Sequence, residues 1–445
     1  MATLTGISET VLRKALDLWR TLWVRVVLFG LLALISIGLT QVVSPLLPQE
    51  WRAYVGGDSA DRLLDIVSNA MLAATIFSLT IMVSVYAFSA SQWTPRVHRL
   101  IVQDPTTQNT IATFIGAFVY SLVAIILREV RVYSDDAALV LFLLTVVVLI
   151  LVVLALIRWV LHLQGFGSLD QTARQVEDIT ARELRKRLDQ PCLGGHPLGD
   201  LPEGVEPIRT SQAGYIVQIY QDRLNEIAEE ADCEIYLPVT PGHFVHLGQP
   251  IAYVTCEVTD ELTRELREHV VVDDARGYVQ DPRLGLIVLG EIGSKALSPG
   301  INDSGTAIDV ITRVGRILSS FEREEAHTGA PTYPRLHVPA LDPEDLVSDG
   351  FGAIARDGAD RLEVQLRLQD VLTGLMTHAE EGMALAARRV AIREYRRAML
   401  AMSFGPDRDR LTSVTTEAVR EGAAAADRDD ETREEKEERE KREEG

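Results

Sequence analysis

Four long apolar segments lie within the first 160 residues, and they constrain the fold more than any other feature of the sequence. They are Val24–Val43, Leu63–Ser89, Thr110–Leu127 and Ala137–Val160. A helix needs about 20 mostly apolar residues to cross a bilayer core of roughly 30 Å, because each residue adds about 1.5 Å. Short connectors with proline and charged residues separate the segments. The sequence therefore predicts four membrane-spanning helices.

The basic residues that flank these segments predict their orientation. One side of the membrane collects Arg13, Lys14, Arg20, Arg25, Arg96, Arg99 and Arg158, and the other collects Arg52, Arg62, Arg128 and Arg131. An excess of arginine and lysine marks the cytoplasmic side. An even number of spans places both termini there, so we expect a multi-pass membrane protein with both termini in the cytoplasm. The basic start, without a cleavage site after the first apolar run, reads as an uncleaved signal anchor.

The rest of the chain is built for water. It carries most of the formal net charge of −20, and the acidic residues concentrate toward the end. This balance argues against a nucleic-acid partner, which would require a basic face. The three cysteines are widely spaced without a CxxC pair, which is typical of reduced cytosolic thiols and gives no disulfide framework. No motif for catalysis, a cofactor or a metal site is found in the sequence.

A stripe of small and polar residues runs along the second apolar segment. Its members recur at steps of three, four or seven: Asn69, Ala73, Thr80, Ser84, Ala87 and Ser91. The third segment has a similar row at Thr113, Ala117 and Ser121. Such rows allow helices to pack closely, so we expect the second and third spans to pack together. Polar groups at membrane depth also line hydrated paths. We therefore take Asn69, Thr80, Ser84 and Ser91 as a candidate pore or helix-packing stripe.

Composition and periodicity divide the chain into segments. We predict an α-helical integral membrane protein with four transmembrane helices, followed by a mixed α/β, mainly helical cytoplasmic domain. The segments are a cytoplasmic amphipathic N-terminus (1–23), the four-span domain (24–160), a connecting helix and loop (161–207), a cytoplasmic α/β then helical domain (208–402) and a charged, disordered tail (403–445). Alternating apolar residues between Ile208 and Cys256 predict a small module of strands with one helix.

The stretch KALSPGINDSGTAIDV, residues 295–310, is rich in turn and capping residues. Pro299 and Gly300 stop one helix, which Asp281 begins ahead of Pro282, and Asn302 or Asp303 can cap the next. Turn chemistry explains much of this composition, but the same groups could bind an ion, a sugar hydroxyl or another subunit. The candidate ligand or interface site comprises Asp281, Ser298, Pro299, Gly300, Asn302, Asp303 and Thr306.

Two later patterns concern packing and charge. An apolar face at helical spacing predicts one amphipathic helix for a core or a subunit interface, through Val364, Leu368, Val371, Leu372, Leu375, Met376, Ala379 and Met383. A basic cluster follows at Arg388, Arg389, Arg393, Arg396 and Arg397. The cluster fits contact with anionic lipid, or pairing with Glu394 and other acidic neighbours.

Residues 25–400 resemble a bacterial family of predicted membrane proteins that is catalogued as a domain of unknown function. The resemblance rests on FSLTIMVSVYAFSASQWTPR, FIGAFVYSL, PGHFV with Gly248, QDPRLGL and ALSPGIND followed by TA. In the family, proline usually follows the aspartate of this last motif directly. Here Ser304 and Gly305 follow Asp303 and precede Thr306 and Ala307. The resemblance implies an inner-membrane protein with four spans and a cytoplasmic domain. It implies no activity.

Two hypotheses for the function follow. In the first, the chain forms a homo-oligomeric, channel-like or transport-related protein in which the stripe faces the assembly axis and the cytoplasmic domain gates it. In the second, the spans only anchor a sensor or scaffold that binds a small ion, ligand or partner at the SPGIND region. Neither hypothesis makes the chain an enzyme, although the sequence leaves open an enzyme whose chemistry no motif reveals. The lipid bilayer is a partner in both hypotheses.

Overall fold

The structure, a computed structural model, describes residues 22–43, 57–92, 94–102, 104–130, 138–321, 330–378 and 380–428. Most of the predicted N-terminal segment (1–23) and the last 17 residues, 429–445, therefore lie outside the described residues. The chain divides into two compact units, Met1–Thr172 and Ala173–Gly445.

The described part of the first unit is helical. Its helices are α1 (Leu22–Val43), α2 (Gly57–Gln92), α3 (Pro95–Val102), α4 (Pro105–Glu129) and α5 (Ala138–Leu163). Three apolar stretches among the described residues have the length and composition to cross a membrane: Ser59–Ser89, Pro95–Glu129 and Leu139–Leu163. These correspond to the second, third and fourth predicted spans. The first predicted span coincides with α1, a helix of 22 residues whose strongly apolar part, Val26–Ser36, is shorter.

Large apolar side chains and small residues together pack this bundle. Leu64 of α2, Phe114 and Tyr120 of α4, and Leu141 of α5 are fully buried in one cluster. Gly116 of α4 has no side chain, and the Phe29 ring of α1 fills the space that a Cβ would take. The helices therefore interlock through small residues, as helices in lipid generally do.

Polar contacts define the two ends of the bundle. At one end, the Arg128 Nε lies 2.6 Å from Asp61 Oδ1, which joins the C-terminus of α4 to the start of α2. At the other end, buried Asp104 accepts hydrogen bonds from the Thr107 amide and hydroxyl, each at 2.7 Å. Its carboxylate also lies 3.0 Å from His162 Nε2 of α5. Neighbouring helices α2 and α4 thus run antiparallel.

The second unit contains two small sheets. Its strands are β1 (His196–Pro197), β2 (Glu206–Arg209), β3 (Gly214–Ile219), β4 (Ile235–Tyr236), β5 (Phe244–Val245), β6 (Pro250–Val254), β7 (Val270–Asp273) and β8 (Leu336–Val338). One sheet has the order β1-β8-β4-β6-β2 and the other β5-β3-β7. Helices α6 (Leu169–Asp189), α7 (Gln221–Glu230) and α8 (Asp260–His269) accompany them, and a short 3₁₀ helix, Pro191–Gly194, follows α6.

The remaining helices form a layer with its own apolar contacts. They are α9 (Pro282–Leu297), α10 (Ser304–Ser319), α11 (Pro343–Asp357), α12 (Leu362–Met376), α13 (Glu381–Ala401) and α14 (Gly405–Val414), and residues 417–428 are also helical. Each of α9 to α13 buries a stripe of apolar side chains, among them Leu286, Val314, Phe351, Leu368 and Val390. This is the amphipathic pattern that the sequence predicts for core helices.

The predicted strand module, 208–256, is incomplete. β8 lies 101 residues further along the chain than its partner β4 but pairs with it in parallel, with Ile235 opposite Leu336. β8 also pairs in parallel with β1. A short strand between two helices has too few residues to show alternation, so its pairing depends on contacts that are distant in sequence.

Two predicted boundaries are wrong. The amphipathic helix ends at Met376, and Met383 is buried on the next helix, α13; Ala379 lies outside the described residues. The predicted tail from residue 403 instead begins with α14, whose Leu411 is fully buried, and Val419 beyond it is buried too. Charged residues surround these apolar positions and mask them in the composition.

Candidate functional site

The seven predicted ligand-site residues fall into two groups at opposite ends of α9. Asp281 precedes the helix, and the other six follow it. A helix of 16 residues is about 24 Å long at 1.5 Å per residue. One small ligand therefore cannot contact both groups, and each group has to be considered separately.

The SPGIND group is a cap and a turn. The Ser298 hydroxyl donates to the Lys295 carbonyl at 2.7 Å, and Asn302 adopts a left-handed φ of 52°, which asparagine tolerates better than most residues. Asp303 caps α10 by accepting from the Thr306 amide at 3.0 Å and the Thr306 hydroxyl at 2.6 Å. These hydrogen bonds lower the pKa of the Asp303 carboxyl. Pro299 and Gly300 are exposed.

At the other end of α9, Asp281 is only 2% exposed and fully engaged. Its oxygens accept from Arg276 Nε at 2.9 Å and Nη2 at 3.0 Å, and from the Leu284 amide at 3.2 Å. Burial raises the pKa of the Asp281 carboxyl, and Arg276 partly offsets this effect. The predicted helix cap at Asp281, with Pro282 at the first helical position, is confirmed.

The PGHFV segment contacts this buried ion pair. Gly242 has a φ of 92°, and a Cβ at this position would lie 2.5 Å from Asp281 Oδ2 and 2.7 Å from Arg276 Nη2. Only glycine satisfies both the backbone angle and this space. Two of the sequence motifs that carry the family resemblance, PGHFV and QDPRLGL, therefore meet at one point of the fold.

Gln280 extends the same contact to β3 and α6. Its side chain accepts from the Ile219 amide and donates to the Ile219 carbonyl, both at 3.0 Å. Its backbone amide donates to Glu183 Oε2 at 3.2 Å. Gln280 holds a left-handed φ of 59° to make these bonds. The residue therefore ties a strand end to α6.

The remaining residues of QDPRLGL fasten α9 to its neighbours. Arg283 Nε donates to Asp349 of α11 at 2.7 Å, and the same guanidinium pairs with Asp345. At Gly285 an added Cβ would overlap the Thr180 hydroxyl of α6. The motif is thus a clamp between α6, α9 and α11. We call Gly242, Arg276, Gln280 and Asp281, together with Glu183 and Arg187 of α6, the α6–α9 junction.

Arg187 is the residue of this junction that sequence reasoning missed. It is only 5% exposed, and its Nε and Nη1 have no hydrogen-bond partner among the described residues. Burial lowers the pKa of Arg187 to about 10. From the sequence it reads as an exposed partner of Glu183 four residues earlier, but Glu183 bonds Lys186 at 2.8 Å instead. Nothing in the sequence alone signals this burial.

The polar stripe of α2 faces away from the bundle. Asn69, Thr80 and Ser84 are exposed, whereas the face that packs on α4 is formed by residues such as Leu64 and Val67. At 3.6 residues per turn these two sets lie on opposite sides of the helix. The second and third spans do pack together, since α2 and α4 share one apolar cluster, but the stripe is not the face of α2 that makes this contact. In the small row of α4, Ala117 and Ser121 are buried and Thr113 is half-buried. The side chain of Ser91 lies outside the described residues.

The basic cluster of α13 is largely paired. Glu394, 1% exposed, accepts from Arg393 Nε and Arg397 Nε, both at 2.7 Å. Arg389 pairs with Glu344 and Arg396 with Asp427. Pairing with acidic neighbours, one of the two interpretations of this cluster, is what the structure contains. No group of residues that could hold a metal ion is found in the described ranges.

The long apolar helices of the first unit define the chain as an α-helical membrane protein that carries a second, mixed α/β and helical unit. Residues 18–374 match the model of the family described as Predicted membrane protein (DUF2254), a domain of unknown function, and the chain belongs to this family.

Relatives of the chain occur in mycobacteria. It is 25% identical over 277 residues to the uncharacterized proteins Rv1290c of Mycobacterium tuberculosis (strain ATCC 25618 / H37Rv) and Mb1321c of Mycobacterium bovis (strain ATCC BAA-935 / AF2122/97). The match covers 59% of this chain and 52% of each relative, so the chain spans about half their length. A comparison with solved structures found no match.

Proposed function

We propose that this protein is a homo-oligomeric, channel-like or transport-related protein of the bacterial inner membrane. In the assembly, the polar stripe of α2 faces the central axis, and the second unit gates the path from the cytoplasm. The outward-facing amide of Asn69 is the observation that carries this proposal. The alternative is a membrane-anchored sensor or scaffold, which leaves the stripe without a role.

Asn69 lies about five residues from the middle of the apolar stretch of α2, which corresponds to about 8 Å along the helix axis. Its amide donates one hydrogen bond, to the Asp65 carbonyl at 3.0 Å, although a carboxamide can make about four. A polar group at this depth is costly in lipid unless it faces a partner or water. A second copy of α2 would supply such a partner, and a hydrated axis would supply water.

The rest of the stripe supports close approach between copies. Thr80 and Ser84 are small, and their hydroxyls bond to carbonyls of their own helix, both at 2.9 Å. Small residues with internally satisfied hydroxyls allow helix backbones to pack tightly in a membrane. Exposed Phe77 and Val83 border the stripe and can cover the flanks of such a contact.

Four spans with cytoplasmic termini complete the proposal. α1 supplies the first span, since 22 residues extend over about 33 Å at 1.5 Å per residue. The basic residues Arg96 and Arg99 on α3 mark the cytoplasmic end of α2. The ion pair between Asp61 and Arg128 then belongs to the opposite, periplasmic end. Reporter fusions after Gln92 and after Glu129 would test this topology by giving opposite locations.

Cross-linking in native membranes tests the assembly. In a variant without native cysteines, Ser84→Cys should give covalent dimers on mild oxidation, because copies of the stripe face each other. Ser78→Cys is the matched control, since Ser78 is buried on the opposite face and should stay monomeric. Equal behaviour of the two variants would contradict an assembly through the stripe.

Electrical recording tests the activity. The purified protein in planar bilayers should pass current. Ser84→Leu should reduce or block this current by narrowing the conducting path along the axis. Leu79→Ile, a change at an exposed apolar position of the same helix that lies about 140° around its axis from Ser84, should leave the current unchanged. An absence of current at every voltage, in protein that still cross-links at position 84, would exclude a channel and leave the scaffold.

A further inference from the structure

The α6–α9 junction contains a buried cation, Arg187, with two donors that no described residue bonds. The Arg187 side chain is 5% exposed, and its Nε and Nη1 are buried without a hydrogen-bond partner in the described part of the chain. A buried donor that is cut off from water and left unbonded destabilises a fold, and a buried charge does so more strongly. A folded protein that retains such a group normally satisfies it.

The other ionised groups of the junction are already engaged. Asp281 is held by both Arg276 donors and by the α9 amide of Leu284. Glu183 accepts from Lys186 and from the Gln280 amide. Asp281 and Cys192 are the groups whose charges act on Arg187, and Arg187 forms no ion pair among the described residues. The Asp281 charge therefore acts on Arg187, but its oxygens are taken by other donors, and Nε and Nη1 of Arg187 have no bonded partner among the described residues.

Arg187 remains a cation under ordinary conditions. Burial lowers its pKa only to about 10, so the guanidinium is protonated at neutral pH. The fold therefore does not avoid the buried charge by losing the proton, and an anion bonded to Nε and Nη1 would satisfy both donors.

We propose that Arg187 is the anchor of an internal binding site for a small oxyanion of the phosphate or carboxylate class. A planar guanidinium with several fixed N–H donors matches the oxygens of these anions better than any other side chain. The site lies beside the turn that follows α6, where Cys192 and Leu193 adopt left-handed φ angles of 53° and 56°. It is distinct from the SPGIND turn and from the α2 stripe, and it does not depend on the channel proposal.

The full chain in detergent tests this site through its thermal unfolding at constant ionic strength. Inorganic phosphate and acetate, each exchanged for chloride, separate the two anion classes. The melting temperature of the wild type should rise with one of them and saturate. Arg187→Met should abolish the saturable rise, whereas Arg388→Met, at an exposed arginine of α13, should retain it.

Arg187→Lys keeps the charge but loses the planar donors, so it should weaken the affinity for the anion by about tenfold or more. A direct measurement of labelled phosphate or acetate binding to the wild type gives a second readout if a variant fails to fold. Two results would overturn the proposal: no saturable binding of either anion to the wild type, or an anion response that is unchanged in Arg187→Met.

Discussion

Single residues fix the second unit at points where few side chains are tolerated. Gly242 leaves room for the buried pair of Asp281 and Arg276, Asn302 takes a left-handed angle before α10, and Gln280 takes another to reach β3. Gly242 and Gln280 each combine an unusual backbone angle with a contact that a neighbouring element requires, whereas Asn302 supplies the angle. The motifs that carry the family resemblance therefore contain residues that this fold requires at their positions.

Gly242→Ala should destabilise the protein strongly, because the new Cβ would lie 2.5 Å from Asp281 Oδ2 and force apart a buried ion pair worth about 3–5 kcal/mol when broken. Gly248→Ala is the matched control. Gly248 has a similar φ of 79° with open space around it, so only the backbone term of about 1–2 kcal/mol applies. Urea unfolding of both variants measures the difference, and equal losses would contradict the steric role of Gly242.

Asp303→Ala should cost about 1 kcal/mol at neutral pH through the lost helix cap. The hydrogen bonds from Thr306 lower the pKa of Asp303, so its stabilisation is present above the ordinary aspartate pKa of about 4. This contribution is lost as the pH falls through the lowered folded-state value. The difference in unfolding free energy between wild type and Asp303→Ala should therefore shrink in acid.

Asn302→Gly should leave the unfolding free energy unchanged, because glycine accepts the left-handed angle.

At the scale of elements, strand register brings together residues that are distant in sequence. β4 and β6 are antiparallel, with Ile235 opposite Val254. Hydrogen bonds between Glu234 and Thr255 continue this register. One step further, the Cys233 side chain lies within hydrogen-bond reach of Cys256, as the same register would place it. Opposed residues of antiparallel strands have Cα atoms about 4.5–5.5 Å apart, which is within the range that a disulfide spans.

A mild oxidant such as copper phenanthroline should therefore link Cys233 to Cys256, as each thiol gives up one electron and one proton to the oxidant. Burial raises the pKa of Cys233 to about 12, so the reaction should be faster in alkaline solution. Peptide mass spectrometry identifies the link and its loss of two hydrogens. Cys192→Ser should leave it intact and Cys256→Ser should remove it. A product that joins Cys192 instead would refute the register.

At the scale of the molecule, the chain continues to build its core after the helical layer of α9 to α13. Leu411 of α14 and Val419 are fully buried, and the Tyr395 hydroxyl of α13 lies 2.9 Å from the Thr412 hydroxyl. These contacts make residues 405–428 a part of the second unit, although their composition resembles a solvated tail.

Truncation after Met402 should lower the unfolding free energy by several kcal/mol, because each large buried apolar side chain that is lost costs about 2–5 kcal/mol. Truncation after residue 428 removes only the charged run that follows and should leave stability unchanged. Thermal unfolding of the two shortened proteins compares them directly. A tail-like role for residues 405–428 would require both truncations to be silent.

The three long apolar helices predict that the intact protein stays in the membrane pellet after extraction with alkaline carbonate. Segments of 25 or more mostly apolar residues cannot leave the bilayer without exposing their surface to water. Release into the supernatant would contradict the membrane assignment and, with it, the proposed assembly through α2.

The sequence by itself determined the features that depend on local physics. The apolar lengths of the second to fourth spans, the cap at Asp281 ahead of Pro282, the cap at Asp303 and the family membership all follow from neighbouring residues, because span length and capping require only a short stretch of chain. Strands such as β3 were also predicted from their alternation.

Only the tertiary structure decided which neighbours these elements meet. A small, polar stripe does not reveal whether its partner is α4 or another copy, so the outward face of α2 could not be predicted. The pairing of β8 with β4, the join of PGHFV to QDPRLGL and the isolation of Arg187 likewise depend on residues brought together from far along the chain. Periodicity selects a buried face, but only packing selects what covers it.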